Sequence, residues 1–108
     1  MGAKEFAAAC REERDTLLSS FADVSGGTAV AAHLATANLT ESQRKQVFAA
    51  IDAVLTDTFY TLLLALDGAA ALGGKQHSFV LTDGNGDTIA NGDGRLEAAA
   101  WDAFHSDS

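Results

Sequence analysis

The chain contains no proline and a single cysteine, Cys10, and its 7 basic residues stand against 15 acidic ones. Without proline, each helix must be stopped by glycine, asparagine or a side-chain cap rather than by a ring that blocks the next turn. One cysteine excludes an intramolecular disulfide framework and a zinc site built from several thiolates. Nothing therefore calls for an oxidising compartment, and the cytoplasm is the expected location. The shortage of positive charge leaves a net charge of −8, which sets the surface against nucleic acid and against an anionic membrane leaflet as partners. Long hydrophobic runs are also scarce. The longest, residues 59–66, is halted after eight residues by Asp67-Gly68, whereas a bilayer span needs about 20. The first residues, Met1-Gly2-Ala3-Lys4-Glu5-Phe6, lack the apolar stretch of a secretory signal.

What is present is alanine. Of the 51 apolar residues among 108, 22 are alanine and 29 are larger. A chain of this length buries roughly two-thirds of its unfolded surface in one core, so residues 1–108 are expected to form a single small domain.

The apolar spacing gives the order of elements. Phe6, Cys10, Leu17, Phe21 and Val24 recur at the helical period and predict a helix over 4–23. Arg14 sits inside that stripe, and the expectation is a stem laid along apolar surface with its guanidinium in water. A short alanine-rich helix follows over 28–38. Thr40-Glu41-Ser42-Gln43 then fits a capping box, in which the threonine hydroxyl takes a free amide and the glutamine reaches back. Behind it, Val47, Phe48, Ile51, Val54, Leu55, Phe59, Leu62, Leu63 and Leu66 repeat at three and four, a helix of about 26 residues and near 39 Å. Its second half is apolar nearly all round and is therefore expected to be buried on every side.

After Gly74 the period changes to two. Residues 76–82 alternate as a half-buried strand would, the residues from Asp83 to Asp87 suit a tight turn, and 88–90 can return antiparallel. A hairpin of two strands needs support, either from the long helix or from a copy of itself. A closing helix over 95–105 carries Leu96, Ala100, Trp101 and Phe104. The expected fold is α+β: a long central helix with shorter helices, a β-hairpin and a C-terminal helix.

Sites are few. Asp83, Asn85 and Asp87 match the first three ligand positions of an EF-hand loop, but Thr88 stands where the loop needs glycine and Gly94 where it needs glutamate. A turn whose short polar side chains satisfy the backbone is the preferred reading. His33, His77 and His105 share no metal-ligand spacing, and no metal or cofactor is expected. His77 reads as a partly buried strand residue, while Asp102 and His105, three apart, can meet on one helix face, although a helix-end histidine facing the carboxyl-terminal dipole is the preferred reading. Cys10 lies on an apolar stripe, where a thiol behaves as a small hydrophobe, and no nucleophile signature accompanies it, so no catalytic residue is assigned. Asp52 and Asp57 are five apart and do not share a face. Tyr60 and Trp101 can anchor an interface, although core packing is the preferred role for each.

Charge is the more useful signal. Residues 83–108 hold Asp83, Asp87, Asp93, Glu97, Asp102 and Asp107 against Arg95 alone. Such a face can steer a basic protein partner, although a merely solvating surface is the preferred reading of the charge alone. Asp83, Asp87, Asp93, Tyr60 and Trp101 are the candidate partner-binding residues.

The run Phe59-Tyr60-Thr61-Leu62-Leu63-Leu64-Ala65-Leu66-Asp67-Gly68, then residues 79–89, then Leu96-Glu97-Ala98-Ala99-Ala100-Trp101-Asp102-Ala103-Phe104-His105, together resemble small bacterial proteins of uncharacterised function. Their pattern is a helix ending in Leu-Asp-Gly, a polar-turn hairpin and an aromatic-bearing last helix. Some of these proteins are similar to immunity or antitoxin partners. The resemblance carries no catalytic residue; what it implies is a role in protein–protein interaction. The expected function is a non-enzymatic interaction module, a homo-oligomer that also binds a basic protein. The alternative is a small-molecule or metal-binding protein or enzyme with a site near the hairpin and final helix, using Asp83, Asp87 and His105.

Overall fold

The computed structural model describes residues 1–106. Four helices and a short hairpin follow one another: α1 (Ala3–Ala22), a 3-10 turn (Val24–Gly26), α2 (Ala29–Ala37), α3 (Glu41–Leu66), β1 (Leu81–Thr82), β2 (Thr88–Ala90) and α4 (Arg95–His105). The architecture is α+β with a long helix at its centre, as the spacing requires. Helices α1, α3 and α4 pack against one another, and α2 rests on the end of α1.

The helix boundaries follow from local chemistry. The Thr28 hydroxyl accepts the Ala31 amide to open α2, and Asn38, at φ 51°, closes it in the left-handed region that asparagine tolerates. At the start of α3 both halves of the capping box form: Thr40 Oγ1 accepts the Gln43 amide at 3.1 Å, and Gln43 Oε1 accepts the Thr40 amide at 2.9 Å. Between α3 and the hairpin, Gly73 and Gly74, at φ 63° and 82°, form the two central residues of a tight turn that pairs Leu72 with Lys75.

The core is small, and three of its seven residues are alanine: Ala7 of α1, Leu63 of α3, Ile89 and Ala90 of β2, and Leu96, Ala100 and Phe104 of α4. The hairpin reaches it through β2, which packs on α1 and α4 rather than along α3.

Several expectations are corrected. The first strand spans only Leu81–Thr82; residues 76–80 are irregular, because β2 offers three residues and no other strand lies alongside to complete a ladder. His77 is accordingly an exposed loop residue rather than a partly buried strand residue. Val24 falls beyond α1 in the 3-10 turn and is exposed.

Arg14 departs furthest from expectation. It is only 5% exposed, and its guanidinium stays inside the α1–α3 seam. Its Nε donates to Thr56 Oγ1 at 3.1 Å and its Nη2 to the Asp52 carbonyl at 3.3 Å, while the Asp15 and Asp52 carboxylates balance its charge. Burial alone raises the Asp15 carboxyl, but hydrogen bonds from Arg14 and Arg11 outweigh it and hold that group below the ordinary carboxylate range. Both carboxylates are half exposed and can return to water when the arginine is removed. Arg14→Ala is therefore expected to cost about 2 kcal/mol, the scale of a lost hydrogen-bonded charge, rather than the full penalty of a stranded buried ion. Arg14→Met, which keeps the stem, should recover part of that loss in a urea titration.

Candidate functional site

The C-terminal third holds two polar arrangements with different occupants. The first is the turn between β1 and β2. Asp83 Oδ1 accepts the backbone amides of Asn85 and Asp87, each at 2.9 Å, and the Asp83 carbonyl accepts the Gly86 amide at 3.1 Å. This is a hydrogen-bonded polar turn of the kind the sequence favours. Its outward carboxylate oxygens already hold a cation, the ammonium of Met1, at 2.7 Å from Asp83 and 3.0 Å from Asp87. Hydrogen bonds to Asp83 and then Asp87 raise that ammonium to about 10. In return, the hydrogen bond from the ammonium, followed by that from the Asp87 amide, lowers the Asp83 carboxyl.

The second arrangement lies between α3 and α4. Tyr60 and Trp101 are brought together, ring centroids 6.3 Å apart at 62°. His105, one turn after Trp101, sets its ring edge-on to Tyr60 at 4.4 Å and tilted to Trp101 at 5.0 Å. Trp101 was expected in the core but is 54% exposed: α4 turns Leu96, Ala100 and Phe104 inward, which leaves Trp101 on the opposite flank. Beside these rings opens a shallow cleft of about 440 Å³, lined by Tyr60, Gly94, Glu97, Ala98, Trp101 and Asp102. Gly94 and Ala98 keep its floor low. Glu97 and Asp102 lie on either side of the Trp101–Ala98 line by the helical period.

One buried carboxylate positions this wall. Helix α4 opens on Gly94, at φ 86°, and has no side-chain cap of its own. Asp67, just past the end of α3 and 4% exposed, supplies one from a distance: its Oδ2 accepts the Glu97 amide at 3.0 Å and its Oδ1 the Gly92 amide at 3.1 Å. A hollow of about 280 Å³ beside Asp67, bordered by Gln76, His77 and Asn91, thus faces a carboxylate whose oxygens are already engaged.

The remaining candidates stay apart. Asp93 accepts the Arg95 amide and pairs with the Arg95 side chain at 3.3 Å, away from the Asp83 turn. His33 is on α2, His77 in the loop and His105 at the end of α4, and among the described residues no group of three or more His, Cys, Asp or Glu is arranged to hold a metal ion. Asp102 and His105 form no ion pair there; His105 packs on the aromatics instead. Burial raises the Cys10 thiol, the direction opposite to that of a reactive thiolate. Asp107 lies outside the described residues.

Sequence reasoning missed Glu97, Asp102 and His105 as neighbours of Tyr60 and Trp101, and Asp67 as the acceptor of the Glu97 amide. The available signal was the unexplained acid in Leu66-Asp67-Gly68 set against a glycine-led helix 30 residues later.

Helix α3 carries a different feature. Its inner face meets α1 and α4, and much of its outer face is exposed. Val54 is 61% and Leu62 46% exposed; Ala50 before them and Asp57, Thr58 and Thr61 between them are exposed as well. Near its end, Asp57, Thr58, Thr61, Leu62 and Leu72 border an apolar hollow of about 440 Å³. The expectation that the second half is buried on all sides thus fails within one chain, because α1 and α4 cover only its inner side. By length and composition α3 could cross a membrane: an 18-residue window has mean hydropathy 1.6, and 6% of that window is buried. Counting the uninterrupted run of eight residues missed this, since isolated threonines and aspartates break the run while the apolar residues around them keep the window mean at 1.6.

Comparison with known protein families, curated proteins and solved structures finds no match to this chain.

Proposed function

We propose that this chain is a cytoplasmic, non-enzymatic interaction module that works as a homodimer through the outer face of α3 and presents an acidic surface to a basic protein partner. The observation that carries the reading is uncovered area. The chain exposes 6897 Å² at 11.2 kDa, whereas a compact monomer of that mass exposes about 5,700 Å². The surplus, about 1,200 Å², is on the scale that one partner contributes to a stable protein interface. The radius of gyration, 16.3 Å, against about 13 Å for a compact chain of this length, supports the same reading.

A second copy suits the face better than lipid does. Helix α3 is already packed along its inner side and bears Asp52, whose charge balances Arg14, so what remains is a stripe rather than a circumference. The stripe is self-complementary. Two α3 helices crossing antiparallel at Val54 set Val47 against Thr61 and Ala50 against Thr58, and small side chains permit close approach.

Sedimentation equilibrium at tens of micromolar is expected to return about twice 11.2 kDa. Val54→Arg, on an exposed position, should return a monomer with undiminished helical signal. A wild-type chain that stays monomeric, or that pellets with lipid vesicles as single chains, defeats the dimer.

A further inference from the structure

We propose that the cleft between Tyr60 of α3 and Trp101 of α4 is a receptor for the guanidinium of one arginine side chain of a basic protein partner; this rests on the acidic-surface reading above but not on the dimer. Three observations converge there. An aromatic wall stands open: Trp101, more than half exposed, and Tyr60 are held at a fixed angle by the His105 ring. Ring faces attract a cation placed over them, and a planar guanidinium can also stack on them. Two carboxylates, Glu97 and Asp102, border the same cleft, and among the described residues neither enters an ion pair. Lys4 and Arg95 border a neighbouring hollow on the far side of Asp102, which leaves Glu97 as the principal anion. The floor, Gly94 and Ala98, is small enough to admit a flat group beside Trp101.

The other acids of the region do not compete. Asp83 and Asp87 hold the Met1 ammonium, Asp93 holds Arg95 and Asp67 is consumed by two amides. The chemistry selects arginine over lysine, because only the guanidinium satisfies a carboxylate in two-point fashion while lying flat on a ring.

Trp101 is the sole tryptophan, so its emission reports on the cleft directly. The test titrates the whole chain with a labelled peptide of three arginines spaced by glycine and serine, reading peptide anisotropy and Trp101 emission together at low and at physiological salt. Saturable binding is expected, with a change in Trp101 emission that tracks it. Tyr60→Leu and Glu97→Gln should each weaken it at least fivefold, and the lysine version of the peptide should bind at least fivefold more weakly. Trp101→Leu, followed by anisotropy alone, should weaken it at least tenfold. Each variant is checked for an unchanged helical signal. Peptide binding that leaves Trp101 emission and all three variants unaffected overturns the cleft while sparing the acidic-surface reading. An absence of binding at low salt overturns both. Tighter uptake of free choline or arginine amide than of the peptide overturns the assignment of a protein partner.

Discussion

Asp67→Ala is expected to lower folding stability by about 3 kcal/mol, with the damage concentrated at the start of α4. The carboxylate is 4% exposed and accepts two backbone amides, from Gly92 and Glu97. Alanine takes away both acceptors and leaves the Gly92 and Glu97 amides without these partners. Hydrogen bonds to a charged group contribute about 1.5–3 kcal/mol each, and loss of a helix cap costs about 0.5–2 kcal/mol. The two estimates overlap here, because the Glu97 amide is the capped one, so they are not added. Asp67→Asn keeps one oxygen and should lose roughly half as much. Thermal unfolding followed by circular dichroism checks this at fixed protein concentration, since a dimer's midpoint shifts with it. A fall in midpoint of about 13 °C is expected for the alanine variant. Because Glu97 and Trp101 ride on the helix that Asp67 caps, the alanine variant should also bind the arginine peptide more weakly. An unchanged midpoint would show that α4 holds its start without this remote cap.

How much was legible in the sequence follows from how far each signal reaches along the chain. The capping box at Thr40 and Gln43 spans four residues, and it formed where it was read. The asparagine stop at Asn38 and the polar turn at Asp83 are equally local. Arg14 was misplaced because the groups that accept it, Thr56 and the Asp52 carbonyl, lie 42 and 38 residues away. Periodicity can say that an arginine falls on an apolar stripe, but not that the facing helix brings oxygen to meet it. The strand over 76–80 failed for a related reason: alternation describes one strand, whereas a ladder needs two. The candidate site divides the same way. Tyr60 and Trp101 were identifiable as amphipathic aromatics, but their meeting depends on how α3 and α4 cross, and the carboxylates beside them were seen only as charge. Even the uncovered face of α3 was legible as apolar surplus; what the pattern left open was whether this chain's own elements would cover it.

That shortage of covering material is also why Leu96 carries so much. Leu96 is fully enclosed, 0% exposed, and is the largest side chain in the protein to be so. It shares one buried cluster with Ala7, Ala90 and Ala100 and with Leu63, Ile89 and Phe104. Leu96→Ala is expected to cost about 4 kcal/mol, above the middle of the roughly 2–5 kcal/mol range for buried leucine. The reason is the identity of the neighbours. A cavity becomes cheaper when adjacent long side chains swing into it, and half of the other members of this cluster are alanines, which have nothing to swing. Against a total stability of about 5–15 kcal/mol for a domain of ordinary size, that loss threatens the fold itself, and α4 would lose its anchor to α1 and β2 together. Leu96→Met, which conserves volume, should cost less than about 1.5 kcal/mol. Urea unfolding of the two variants separates these outcomes. If the alanine variant lost less than about 1 kcal/mol, the centre of the core would have to lie elsewhere, and the outer face of α3, not the α1–α4 seam, would be the place to look for it.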